Sequence, residues 1–90
     1  MYNVYVLISL KDYKFYIGFS ENIEQRLKDH NSGRNQSTKN RCPFKLIYTE
    51  SHLSKIDALR RERYFKTAKG KTTLKQMLKT AIGNVLAEKS

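Results

Sequence analysis

Residues 2–9 (YNVYVLIS) and 14–19 (KFYIGF) are two runs rich in β-branched and aromatic side chains, separated only by Leu10, Lys11, Asp12 and Tyr13. Such runs favour extended backbone, and a connection this short makes them the two strands of an antiparallel hairpin. A four-residue turn sets Ser9 against Lys14, and therefore Leu7 against Tyr16 and Tyr5 against Gly18. Strand side chains alternate between faces, so Tyr5 and Tyr16 should lie on one face as diagonal neighbours. A slip of one residue would turn one strand over, so everything built on this face depends on that register. Gly18 should leave an empty place opposite Tyr5, where a ligand can approach the backbone. Strands favour tyrosine for packing reasons alone, so the pair does not define a function by itself.

Ser20 or Asn22 can cap a following helix whose inward stripe is Ile23 and Leu27, and Gly33 suits its left-handed end. Residues 34–43 read as a polar, basic and mobile loop, and 44–49 (FKLIYT) as a third strand. Ser54 opens a second helix, with Asp57 three positions on in a capping-box arrangement, and Gly70 is expected to close it. From Thr73 onward, Leu74, Met77, Leu78, Ala81, Ile82, Val85 and Leu86 form one helical stripe that Gly83 and Asn84 can interrupt. The order β-β-α-β-α-α predicts an α+β fold, a small three-stranded antiparallel sheet flanked by three helices. Ninety residues can bury one modest core. The domain is expected over 1–80, with 81–90 as a C-terminal helix extension or tail.

The charge is segregated. Residues 1–33 hold four basic and four acidic side chains, whereas 34–79 hold thirteen basic and three acidic, which accounts for the net +10. A basic half of that density attracts polyanions, and nucleic acid is the usual one. Arg34, Lys39, Arg41, Lys66, Lys69 and Lys71 are the residues expected to meet its backbone. No apolar run approaches a membrane span, the longest being residues 4–8, and no secretory signal precedes the first strand. The single cysteine, Cys42, excludes an internal disulfide and fits a reducing compartment, so a cytoplasmic protein is expected. No histidine lies near Cys42 in sequence, and it reads as a small packing residue rather than a nucleophile.

Two helical features bear on chemistry. Arg26 and His30 are four apart, stack on one side of the first helix and fall beside its apolar stripe, so both are expected to point toward the sheet. An inward arginine requires a counter-anion, and a phosphate would satisfy its fork; a boundary arginine reaching out to water is the plainer reading. On the second helix Glu62 falls near the centre of the arc marked by Ala58, Leu59 and Phe65, with Lys66 at its edge. A carboxylate facing a core is normally paired or bound to a metal, so Glu62 is either a metal ligand or the partner of Lys66 at i, i+4.

Taken together these residues resemble the GIY-YIG nucleases. Asn3-Val4-Tyr5 stands where that family has its first tripeptide, and Tyr16-Ile17-Gly18 is its second tripeptide intact. Arg26 and His30 follow within ENIEQRLKDHNSG, and the run DALRRERYFK around Glu62 is similar to the helix that supplies the family's metal-binding glutamate. The likeness covers residues 2 to about 79 and is closest to small stand-alone members; the same domain forms the N-terminal part of excinuclease C, which connects it to DNA repair. The resemblance implies that Tyr5 and Tyr16 orient or deprotonate the attacking water and that His30 assists proton transfer. It further implies that Arg26 holds the scissile phosphate and that Glu62 binds Mg²⁺ or Mn²⁺. The first tripeptide departs from the pattern at Asn3 and Val4, and a late active-site asparagine found in many relatives has only Asn84 as a candidate. A tyrosine is a poor base near neutral pH, and Arg26 and the metal are expected to favour its phenolate. The function implied is a metal-dependent endonuclease acting on DNA, guided by DNA structure or by a protein partner. The rival is a catalytically silent nucleic-acid-binding module of the same fold. A covalent phosphotyrosine mechanism would differ from both in leaving a protein–DNA adduct.

Overall fold

The computed structural model of the chain describes residues 1–89. Three strands, β1 (Tyr2–Ser9), β2 (Phe15–Ser20) and β3 (Phe44–His52), form one antiparallel sheet in the order β2-β1-β3. The hairpin has the expected register, with Tyr5 opposite Gly18 and Leu7 opposite Tyr16. Its turn is closed by Ser9, whose amide donates to the Lys14 carbonyl and whose carbonyl accepts from Tyr13. As the central strand, β1 is covered on both faces, so residues 4–9 are all buried instead of alternating with exposed positions.

On one face lie the helices α2 (Lys55–Phe65), α3 (Ala68–Met77) and α4 (Lys79–Lys89). Val4, Val6 and Ile17 from the sheet pack there with Ala58, Phe65, Leu74 and Leu78. On the other face α1 (Ile23–Asn31) sets Ile23 and Leu27 against Tyr5, Leu7 and Phe44. The strand β3 serves both layers because of a bulge between its pairings with Val6 and Leu7. Leu46 opposes Leu7 on the α1 face, whereas Tyr48, only two residues on, opposes Val6 on the α2 face.

The helix starts agree with the sequence reading. The Asn22 side chain caps α1 by accepting from the Gln25 amide, Ser54 caps α2 by accepting from the Asp57 amide, and Gly33 follows α1 with φ +77°. The helix ends do not all agree. Gly70 does not close α2, which ends at Phe65; it lies buried in the first turn of α3, where Thr67 is the cap and accepts from the Gly70 amide. A side chain at 70 would run into the Tyr64 carbonyl, so the glycine is there to let two helices meet closely. The long stripe after Thr73 is also two helices, making four among the described residues. The break falls at Leu78, not at Gly83 or Asn84, which lie inside α4. Ser90, the last residue of the expected 81–90 extension, lies outside the described residues.

The segment 34–43 is built, not loose. Asn35 makes an Asx turn, accepting from the Ser37 amide and hydroxyl. Arg41 binds Asp12 at 2.8 Å and donates to the Lys14 and Phe15 carbonyls. Its own carbonyl accepts from the Ser9 hydroxyl, and Asn31 grips Phe44 through both backbone groups. The Arg41 guanidinium holds the Asp12 carboxyl down at about 2, opposed by slight burial and aided by the Lys14 amide.

The glycines offer a paired test. Gly70→Ala must push the Tyr64 backbone aside, and we expect it to lower stability by about 1–3 kcal/mol. Gly83→Ala meets nothing within 4 Å and sits inside an exposed helical stretch, so it should raise stability by roughly 0.5–1 kcal/mol. Urea denaturation of the two variants measures both signs. Equal effects would refute the packing role given to Gly70.

A hydrogen-bonded tyrosine–histidine site between β1, β2 and α1

The sheet positions the first two site residues. Tyr5 and Tyr16 share the α1 face, with ring centroids 6.4 Å apart. Gly18 does not leave room for a ligand. The Tyr5 ring itself occupies that place, and a Cβ at 18 would collide with the phenol end of the ring. Glycine therefore lets Tyr5 lie across β2 and extend toward α1.

There the Tyr5 hydroxyl meets His30 Nε2 at 3.1 Å. His30 is 1% exposed, and its ring lies 4.6 Å from Tyr16 and 5.8 Å from Phe44. The other ring nitrogen, Nδ1, is 2.8 Å from the hydroxyl of Thr38, a residue with no exposed surface. Thr38 escaped the sequence reading because it sits in a polar, turn-rich stretch where no periodicity marks a buried position. Nothing short of the folded loop identifies it.

Of the two outer charges, Arg26 takes the plainer of its two readings, a boundary arginine open to water, and Glu62 keeps its expected place. Arg26 is exposed instead of pointing into the sheet, since α1 turns that part of its circumference to the rim of clefts shared with Asn22, Gln25, Asp29 and Arg34. Its charge nevertheless reaches both Tyr5 and His30. Glu62 is largely shielded, its side chain 19% exposed, on the helix that covers the opposite face, and its charge also reaches Tyr5. Its ion pair is with Lys66 at 3.3 Å, the i, i+4 partner foreseen. Leu59, taken as part of the inward arc, is instead 37% exposed; Ala58 and Phe65 carry that face. Among the described residues no group of three or more His, Cys, Asp or Glu is assembled to hold a metal.

Burial governs the protonation states. It raises Tyr5 well above the ordinary tyrosine value; Tyr16 and Glu62 add to the rise, and Arg26 opposes it without reversing it. The expected phenolate is therefore not the resting form. Burial also lowers His30, helped by Arg26 and resisted by Asp29, so the imidazole is neutral at neutral pH. The site at rest is an uncharged phenol bonded to an uncharged imidazole.

The basic residues expected at nucleic acid are dispersed. Arg34, Lys39, Lys69 and Lys71 are exposed, and Lys71 lines a cleft with Lys14 and Lys75. Arg41 is committed to Asp12 and to the hairpin, and Lys66 to Glu62. No helix among the described residues is long and apolar enough to cross a membrane.

Residues 1–76 match the family described as the GIY-YIG catalytic domain. The chain belongs to that family. Within it, the chain is similar to proteins named UPF0213. One from Staphylococcus haemolyticus is 39% identical over 72 residues, covering 79% of this chain and 88% of the other. One from Bacillus licheniformis is 41% identical over 63 residues, and there the match spans 65% of the relative's length. The solution structure of a UPF0213 protein from Bacillus halodurans superposes with a TM-score of 0.54 at 33% identity, covering 86% of this chain and 85% of that one.

The protonation states give a measurable sign. The unfolded chain protonates His30 at the ordinary value near ~6.5, and the folded protein only at lower pH. A folded value depressed in this way makes stability complete above pH ~6.5 and withdraws it as pH falls toward the folded value. Unfolding free energies at pH 7.5 and 5.5 should therefore fall more in the wild type than in His30→Asn. An equal fall in both would contradict the assignment.

Proposed function

We propose that this protein is an endonuclease that hydrolyses phosphodiester bonds in DNA, guided by DNA structure rather than sequence. The observation that carries the reading is the buried contact between the Tyr5 hydroxyl and His30 Nε2, on the same face as Tyr16 and beneath an exposed Arg26. A phenol with a raised pKa cannot wait as a phenolate, but it can pass a proton on. As Tyr5 takes a proton from the attacking water, it gives its own to His30 Nε2. The hydroxide bonds to phosphorus, and the bond to the leaving oxygen breaks with its electron pair, which solvent protonates. His30 is then a buried imidazolium and returns the proton through Tyr5 to solvent, a recovery that burial favours. Tyr16, beside the same imidazole, orients the water. Arg26 forks two phosphate oxygens as charge grows on them.

Glu62 fits a divalent cation of the magnesium type: a shielded hard-oxygen donor whose resting partner, Lys66, is 55% exposed on a flexible stem and free to move away. A cation of this kind keeps most of its waters, so one carboxylate and the substrate phosphate suffice, and it would neutralise charge on the leaving group. A cytoplasmic place accords with the single cysteine, and a protein partner that selects the target is part of the same proposal. The Glu62–Lys66 pair favours the alternative, a catalytically silent binding module.

A panel of linear, nicked, flapped and branched DNAs, with and without Mg²⁺ or Mn²⁺, separates the two. We expect metal-dependent cleavage, abolished in Glu62→Ala with binding largely kept. Full activity in that variant removes Glu62 from the site, and binding without cleavage of any substrate selects the silent module.

Arg26→Lys keeps the charge but loses the planar fork. We expect it to slow cleavage at least tenfold, about 1.4 kcal/mol, with the dissociation constant almost unchanged. Equal losses in binding and cleavage would mark Arg26 as one more surface cation.

A further inference from the structure

The polar loop after α1 carries a buried hydroxyl that the Tyr5–His30 contact does not explain. Thr38 has no exposed surface, although its neighbours Ser37 and Lys39 are exposed. Its position is built by several bonds. The Thr38 amide donates to the Asn35 carbonyl at 3.1 Å, and the Thr38 carbonyl accepts from the Arg41 amide at 2.9 Å. The Asx turn at Asn35 holds one side of this stretch and the Arg41–Asp12 pair holds the other.

We infer that Thr38 is a positioning residue: its hydroxyl accepts from His30 Nδ1–H and so fixes the imidazole in the tautomer whose Nε2 is bare and turned to Tyr5. This deepens the nuclease reading and rests on it for its purpose, though not for its geometry.

The direction of the hydrogen bonds follows from both ends of the chain. Tyr5 is 3% exposed, and its hydroxyl meets His30 Nε2. A buried neutral phenol turns its proton toward an acceptor, and the protein group at hydrogen-bond distance from this one is Nε2, which accepts only when unprotonated. A neutral imidazole with a bare Nε2 carries its proton on Nδ1, which then donates to Thr38 at 2.8 Å. From the other end, the Asn35 carbonyl lies 3.5 Å from the Thr38 hydroxyl, a long contact but one on the side where its proton would leave the oxygen's lone pairs for His30. Both ends give the same order: Tyr5 to His30, His30 to Thr38, Thr38 to Asn35. In the opposite order Nε2–H would point at Tyr5, and His30 could take no proton from it. Thr38 thus decides whether His30 can accept.

The inference is tested first on the protein alone. Long-range ¹H–¹⁵N correlation at neutral pH identifies which nitrogen of His30 bears the proton. The wild type should carry it on Nδ1. Thr38→Val keeps the shape and removes the acceptor, so the proton should shift to Nε2 in most molecules, whereas Thr38→Ser should restore the wild-type pattern. A wild type protonated on Nε2, or a valine variant that keeps the Nδ1 proton, overturns the proposal. If Thr38→Val does not fold, the wild-type and Thr38→Ser spectra still decide it. On DNA with Mg²⁺, Thr38→Val should cleave at least about tenfold more slowly at unchanged affinity, with Thr38→Ser close to wild type. A wild type that cleaves no DNA defeats the nuclease reading and leaves the tautomer result to judge Thr38. Cleavage that persists at full rate in a valine variant with a shifted proton overturns the positioning role.

Discussion

The ring of Tyr5 lies across strand β2 at Gly18, and the rest of the site depends on that crossing. Any side chain at 18 would hold the ring off the sheet and away from α1. With the ring flat across the strand, its hydroxyl reaches His30, and α1 can sit close enough for Ile23 and Leu27 to complete the core beneath it. His30 then offers its second nitrogen to the loop, and Thr38 closes over it. Hairpin register, helix position and loop conformation are successive answers to one close approach.

The molecule separates its charge from its buried polar centre. It carries +10 overall, all of it on residues 34–79, yet the buried centre of the site is a neutral phenol bonded to a neutral imidazole. Desolvation keeps both uncharged, which makes the contact a hydrogen bond between neutral groups rather than an ion pair. Not every cation serves the surface. Glu50 accepts from Tyr48, His52 and Arg61, and those bonds lower its pKa against the opposing effect of burial. Arg61 is spent there and on the Phe65 ring, 4.2 Å away, so charge counted along the sequence overstates what a polyanion can meet.

The sheet and the tyrosine face were legible because the hairpin is local: four turn residues and a period of two fix the register of Tyr5 and Tyr16. The place of His30 followed from helical spacing in the same way. Arg26 was read as inward because spacing gives a direction around α1 but not where the neighbouring layer ends. Gly70 was read as a terminator because a glycine suits a helix end and a close crossing equally, and only the packed Tyr64 carbonyl separates them. Thr38 was invisible for a related reason. Its burial comes from the Asx turn at Asn35 and from the tethers of Arg41, contacts that leave no period in the sequence.

The bulge in β3 has a consequence for how this chain can vary. Leu46 and Tyr48 have the same parity yet face opposite layers, because one extra residue advances the strand by half a pleat between them. The strand is thus two half-strands in opposite phase, one assigned to the tyrosine–histidine layer and one to the Glu50 layer. A residue gained or lost at this joint would exchange those assignments, sending the side chains of one half into the wrong compartment. Length at this point is therefore as strictly set as the identity of any buried side chain, although no single residue there carries the constraint.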